Sequence, residues 1–273
     1  MIALLGACLL AGCAAPHGGV RTADRLAAAA GMERCVVSGA GFRHLVFIKG
    51  GLGSAPDVHV YLEGDGLPWV SRHRIASDPT PRSPLALRLM AMDPAPSVYL
   101  GRPCYFGLAD GDPCRPWLWT HGRYSAEVVD SMRAAVRAVL PPDSTARITL
   151  IGYSGGGVLA TLIAPHLAGE VRVTTIAANL DIDAWADHHG YSRLSGSMNP
   201  ADQPPLDARI GQLHLMGERD QVVPPATTAR FLARNPMAAV RSVSGYDHGC
   251  CWLEDWPGVL ASLDASAVAI EVQ

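Results

Sequence analysis

No cluster of lysine and arginine occurs in the sequence, and 22 basic against 25 acidic side chains leave a formal net charge of −3. Without a basic patch or stripe there is nothing to grip a phosphate backbone, so nucleic acid is not an expected partner. Long apolar runs are missing too. The stretch from Ile2 to Leu10 is uncharged and mostly apolar over nine residues, too short to cross a bilayer as a helix but suited to the core of a secretory signal. None of the seven cysteines stands at C-x-x-C spacing, and the nearest histidine, His121, completes no ligand set; a metal site is therefore not expected. Internal repeats and an interdomain linker are absent as well. With 49% hydrophobic and 17% charged residues among 273, the chain can bury a substantial core and shows no compositional sign of disorder.

What is present is a succession of short apolar runs separated by glycine, proline and polar turns. Residues 14–32, rich in Ala and Gly, read as a tether with a short helix around 23–30, ahead of one domain over 33–273. Residues 44–49 and 57–63 read as strands ended by Gly50-Gly51 and Gly64-Asp65-Gly66. A helix over 83–92 and a strand over 97–100 follow. The clearest helix is 124–140, where Val129, Met132, Val136 and Val139 share one face, Ser125 is placed to cap and Pro141-Pro142 to stop it. Beyond it, strands are expected over 146–151, 171–180, 210–216 and 240–244, and helices over 158–164, 225–234 and 253–263. This alternation predicts an α/β fold with a mostly parallel central sheet and helices on both faces.

The most informative stretch is Gly152-Tyr153-Ser154-Gly155-Gly156, which fits G-x-S-x-G between a β-branched strand and a buried helix. In such an elbow the serine backbone is strained and the helix packs close to the strand, so side chains at Gly152 and Gly156 would collide with neighbouring backbone. A serine nucleophile also needs a base, and the base an orienting carboxylate. Leu215-Met-Gly-Glu-Arg-Asp220-Gln-Val-Val-Pro224 follows one strand and Ser244-Gly-Tyr-Asp-His248-Gly-Cys-Cys-Trp252 the next, giving the order Ser154, Asp220, His248.

With these residues the chain resembles the α/β-hydrolase fold family over about residues 43–265. The resemblance implies a catalytic triad of Ser154, Asp220 and His248, with Asp181, at the end of the strand over 171–180, as the alternative acid. It implies an oxyanion hole made by the Gly155 amide and a second amide, from Asp65 or alternatively Gly64, in Glu63-Gly64-Asp65-Gly66. That loop departs from the family's His-Gly pattern, because Glu63 stands where His is usual. Two carboxylates there would oppose a developing oxyanion unless they turn away or pair with Arg102 or Arg123; otherwise they would favour cationic substrates. Residues 183–206 fall where the family inserts caps and leave room for a small one. Trp69, Trp117 and Trp119 follow strand ends and are either pocket walls or structural residues.

Leu10-Ala11-Gly12-Cys13 resembles a bacterial lipobox, which implies a signal peptide over 1–12, lipidation of Cys13 and attachment to a membrane outside the cytoplasm. Met1-Ile2 lacks the basic residues usual ahead of the apolar core, and Ala14 after the cysteine favours the outer membrane. An ordinary signal peptide, giving a secreted or periplasmic soluble protein, is the alternative. Export permits disulfides. Cys104 and Cys114 bracket a turn-rich loop and are the expected pair, while Cys35 has Cys250 or Cys251 as partner.

The expected function is an exported serine hydrolase that cleaves carboxylic esters through an acyl-enzyme and needs no metal or organic cofactor. The same residues would serve an acyltransferase, peptidase or amidase, and a non-catalytic envelope binding protein on the same fold is the alternative from another class.

Overall fold

The computed structural model describes residues 18–53, 55–141 and 143–270, with side chains through residue 263. The signal core, Cys13 and Pro142 lie outside the described residues. The chain opens with α1 (Gly18–Ala29), the hairpin β1 (Glu33–Gly39) and β2 (Phe42–Lys49), β3 (Asp57–Leu62) and a small hairpin of β4 (Trp69–Ser71) and β5 (Arg74–Ile75). Then come α2 (Leu85–Met92), β6 (Ser97–Leu100), α3 (Ala126–Val139), β7 (Arg147–Tyr153) and α4 (Gly155–Ile163). The last part holds β8 (Val171–Ile176), α5 (Ile182–His189), β9 (Gly211–Gly217), α6 (Ala229–Arg234), β10 (Ala239–Val243) and α7 (Trp252–Ile270).

Eight strands form one sheet in the order β1-β2-β6-β3-β7-β8-β9-β10. Only β1–β2 and β2–β6 pair antiparallel; from β6 to β10 every neighbour is parallel. Parallel strands need crossovers, and the helices that supply them cover both faces. Gly152 looks into α4, where an added Cβ would lie 2.5 Å from Gly157 Cα. Tyr61 is in register with Ile151 and so projects to the opposite face. There its ring meets Trp256 of α7 edge-on at 6.2 Å, and its hydroxyl donates to Asp93 just beyond α2. Strands β3, β6 and β7 are buried on both sides along most of their length, and the polar His59 and Thr149 are accommodated there by hydrogen bonds to Asp93 and Asp57.

Local sequence explains most boundaries. Ser125 Oγ accepts from Val128 N–H to open α3, and Val129, Met132 and Val136 bury its apolar face. The disulfide joins Cys104 to Cys114 with Cα atoms 5.6 Å apart, as expected.

Four expectations are corrected. Residues 18–29 form a packed helix with Val20, Ala23 and Ala27 buried, so the folded unit begins before residue 33; small residues let α1 settle so closely that a Cβ on Gly19 would sit 2.6 Å from the Pro81 carbonyl oxygen. An unforeseen strand, β1, joins β2 through Ala40 and Gly41, both at positive φ. Its exposure alternates from Cys35 to Gly39, but only Gly39 is fully buried and the apolar Val36 lies on the exposed side, so the residue types do not display that alternation. The strand expected over 171–180 ends at Ile176, and Asp181 instead caps α5 by accepting from Ala184 N–H. Finally, Cys35 is a free thiol on β1, at the far edge of the sheet from β10, while Cys250 and Cys251 are bonded to each other.

Candidate active site

Ser154 stands between β7 and α4 at φ 51° and ψ −123°, a conformation that costs a non-glycine residue energy and that the surroundings must impose. Its neighbours do so. A Cβ on Gly152 would lie 2.4 Å from the Gly156 carbonyl oxygen, and one on Gly156 would lie 2.1 Å from that of Leu62. The bare backbones let α4 press against β7 and β3 and push the serine out of the turn, as the motif requires. Ser154 N–H donates to Ile176 O at 2.8 Å and ties the elbow to β8.

Asp220 follows β9 and is 1% exposed. Its Oδ1 accepts from the N–H groups of Val222 (2.8 Å) and Val223 (2.7 Å), which leaves Oδ2 for a side-chain donor. His248 follows β10 in a loop shaped by Asp247, whose Oδ1 accepts from Gly249 and Cys250 N–H, and by Trp252, whose indole N–H donates to His248 O. Arg219 N–H donates to Tyr246 O, so the loops after β9 and β10 are fastened together.

This frame brings the three predicted residues into line. His248 Nδ1 is 2.8 Å from Asp220 Oδ2, and His248 Nε2 is 3.1 Å from Ser154 Oγ. A carboxylate can only accept, so Nδ1 carries the proton and Nε2 is left to accept from the serine hydroxyl. Asp181 is engaged elsewhere: Arg230 reaches it at 2.6 Å through Nε and 3.0 Å through Nη2, and Asn199 Nδ2 donates to Oδ1 at 2.9 Å.

The loop after β3 faces the serine, and an added Cβ on Gly64 would be 3.5 Å from Ser154 Cβ. Its two carboxylates do not act as a free negative pair. Asp65 Oδ1 lies 2.8 Å from Arg102 Nη2, and Oδ2 accepts from Arg123 Nη1 at 2.7 Å, with the Tyr124 hydroxyl donating to the same carboxylate at 2.7 Å. Burial raises the Asp65 pKa, but Arg123, Arg102 and Tyr124 outweigh it and bring it down to about 2. Glu63 is buried and its pKa goes the other way. Desolvation raises it to about 7, against the N–H groups of Gly64, Ala86 and Leu87 and the charge of Arg102. The Gly64 N–H donates to Glu63 Oε1, whereas the N–H groups of Asp65 and Gly155 have no acceptor among the described residues.

A cleft of about 520 Å³ opens over Ser154 and His248, lined also by Leu67, Pro68, Val222 and Trp185 of α5. Trp185 donates its indole N–H to Val222 O at 2.7 Å and stands as a fixed wall, a role the sequence did not reveal. Trp119 is buried and donates to Ala76 O, whereas Trp69 is 39% exposed beside the cleft. Tyr124 was also missed as part of the site. It precedes the Ser125 cap of α3 in sequence, and only the packing of α3 brings its hydroxyl to Asp65.

No protein-family model and no curated relative matches the sequence. Solved structures do match. A puromycin-hydrolyzing peptidase from Mycobacterium tuberculosis aligns with TM-score 0.58 at 17% identity over 84% of this chain and 38% of that one. A Xanthomonas campestris α/β serine hydrolase without a lid gives 0.50 at 18% over 84% and 92%. A carboxylesterase from Bacillus subtilis gives 0.54 at 13% over 90% and 96%. The chain spans 38% of the length of the puromycin hydrolase chains it matches. With its eight-stranded, mostly parallel sheet and helices on both faces, this chain has the α/β-hydrolase fold.

Proposed function

We propose that the chain is a serine hydrolase that cleaves carboxylic esters through an acyl-enzyme. The observation that carries this reading is the hydrogen-bonded line from Ser154 through His248 to Asp220, set on a strained elbow at the floor of a cleft. Ser154 Oγ attacks the acyl carbonyl while His248 Nε2 takes its proton, and Asp220 holds the tautomer and stabilises the imidazolium. The carbonyl oxygen, now an oxyanion, is received by the Gly155 and Asp65 N–H groups. His248 then gives its proton to the leaving alcohol. A water, deprotonated by the same nitrogen, attacks the acyl carbonyl and frees Ser154.

The non-catalytic alternative loses its motive, since the acidic loop that prompted it is neutralised at Asp65 and held toward the protonated acid at Glu63. In the same proposal, residues 183–206 act as a small cap through α5, and the lipobox-like residues place the enzyme, lipidated at Cys13, on the cell envelope. Purified protein is expected to release 4-nitrophenol from 4-nitrophenyl acetate, with Ser154→Ala about 10⁶-fold slower in kcat. Product analysis in the presence of methanol separates hydrolysis from acyl transfer: acetate as the main product supports the hydrolase, and methyl acetate as the main product supports transfer.

A further inference from the structure

The catalytic cleft does not end at its own walls. A second cavity of about 630 Å³ lies beside it and shares Pro68, Arg123 and Trp185 with it, so the two spaces adjoin at these side chains. Each cavity alone is within the range of a small-molecule site. Together they exceed what a short-chain ester fills.

The lining of the second cavity says what it suits. No carboxylate is among its lining residues, and its charged groups are Arg123, already paired with Asp65, and Arg72, which has no ion-pair partner among the described residues. His121, which also lines it, is the other titratable nitrogen. Trp69 of β4 and Tyr191 beyond α5 present exposed rings there, 39% and 57% accessible, and Trp185 packs edge-on against Tyr191 at 5.5 Å. Large aromatic faces kept accessible on a concave surface are suited to stacking, and an unpaired guanidinium beside them is suited to a carboxylate. The charge preference considered from the sequence is therefore reversed: the acidic loop is already neutralised, and the free charge near the cleft is positive.

We propose that the second cavity is a substrate subsite for the part of the ester remote from the scissile bond, and that it takes an aromatic ring bearing a carboxylate. Trp69, Trp185 and Tyr191 contact the ring, and Arg72 is the counter-charge. This inference rests on the ester-hydrolase reading of Ser154.

Two matched substrate pairs test it, one for each end of the ester: 4-nitrophenyl 4-carboxybenzoate against its 4-carbamoyl analogue, and 4-acetoxybenzoate against 4-acetoxybenzamide. Rates are normalised to hydroxide-catalysed hydrolysis. In at least one pair the charged member is expected to have a kcat/KM about tenfold higher, the size of one charge-assisted contact. Arg72→Gln is expected to abolish that advantage while leaving 4-nitrophenyl acetate turnover unchanged. Equal rates within both pairs, or an advantage that survives Arg72→Gln, would overturn the proposal. Titration calorimetry of 4-acetoxybenzoate and of 4-nitrophenyl 4-carboxybenzoate with Ser154→Ala protein reads the same site without turnover, for either end of the ester. Arg72-dependent binding with no esterase activity in the wild type would sink the hydrolase reading alone, whereas turnover of 4-nitrophenyl acetate without Arg72-dependent binding would sink the subsite alone.

Discussion

Asp220→Asn is expected to lower kcat for a small ester by about 10⁴-fold, because an amide in place of the carboxylate can present N–H to His248 Nδ1 and reverse the imidazole tautomer. The geometry makes the effect specific. Asp220 Oδ1 is fixed by two backbone N–H groups, so Oδ2 has the ring as its side-chain partner at 2.8 Å. Asp181→Asn, by contrast, is expected to leave turnover nearly unchanged, since Asp181 serves Arg230, Asn199 and the start of α5. Its cost falls on stability, at about 1–2 kcal/mol once the half-exposed position of Arg230 is allowed for. Steady-state kinetics and urea unfolding of the two variants check both halves. A larger kinetic loss in Asp181→Asn would move the acid to that residue.

Asp65→Ala is expected to destabilise the protein by about 3–5 kcal/mol, because it strands two charges inside. Arg102 is 2% exposed and Arg123 7%, and Asp65 is the carboxylate that faces both guanidinium groups. Where the variant still folds, kcat is expected to fall by about 10²–10³-fold, the effect of losing one oxyanion donor, as the unanchored loop carries the Asp65 N–H away from Ser154. Asp65→Asn retains the side-chain oxygen for Tyr124 and Arg123 and is expected to be the milder change. The wild type also carries a pH signature. The Asp65 pKa is depressed to about 2 in the folded state, so its contribution is fully present above the ordinary carboxylate range and is lost as pH falls through about 2. Glu63 has the opposite sign. Its raised pKa means that the folded state holds the proton more tightly, so stability declines as pH rises from about 4.5 to about 7. Denaturant unfolding across this range, with Asp65→Asn losing the acid limb, checks the assignment. An unchanged acid limb in Asp65→Asn would show that the arginine pairing does not hold the loop.

How far these features could be read in advance depended on the range of the interactions behind them. The elbow was legible because its cause is local: Gly152 and Gly156 are needed by contacts within the turn and with the adjoining strand. The cap at Ser125 is local as well. Asp220 and His248 could be named because each follows a strand, and strand ends at one edge of a parallel sheet converge. The hidden parts depend on packing between distant segments. Arg102 and Arg123 could only be offered as partners for Glu63 or Asp65; that they take Asp65, with Tyr124, follows from how α3 lies on the sheet. Asp181 looked like a strand end because β-branched residues dominate 171–176 and Ala177, Ala178 and Leu180 extend the apolar character, yet Ala177 turns to φ 50° and releases the chain toward α5. The strand β1 escaped notice because it is an edge strand with little to bury; α1 was expected only as a short helix around 23–30 within a tether, because its small residues conceal a packed face.

The central claim is that Ser154 is a nucleophile activated by His248, and active-site labelling tests it most directly. Folded wild-type protein is treated with a fluorophosphonate probe and the modified peptide located by mass spectrometry. The expected adduct is on Ser154, absent in Ser154→Ala and strongly slowed in Asp220→Asn. Folded wild-type protein that takes no label, or takes it at another residue, would contradict the account.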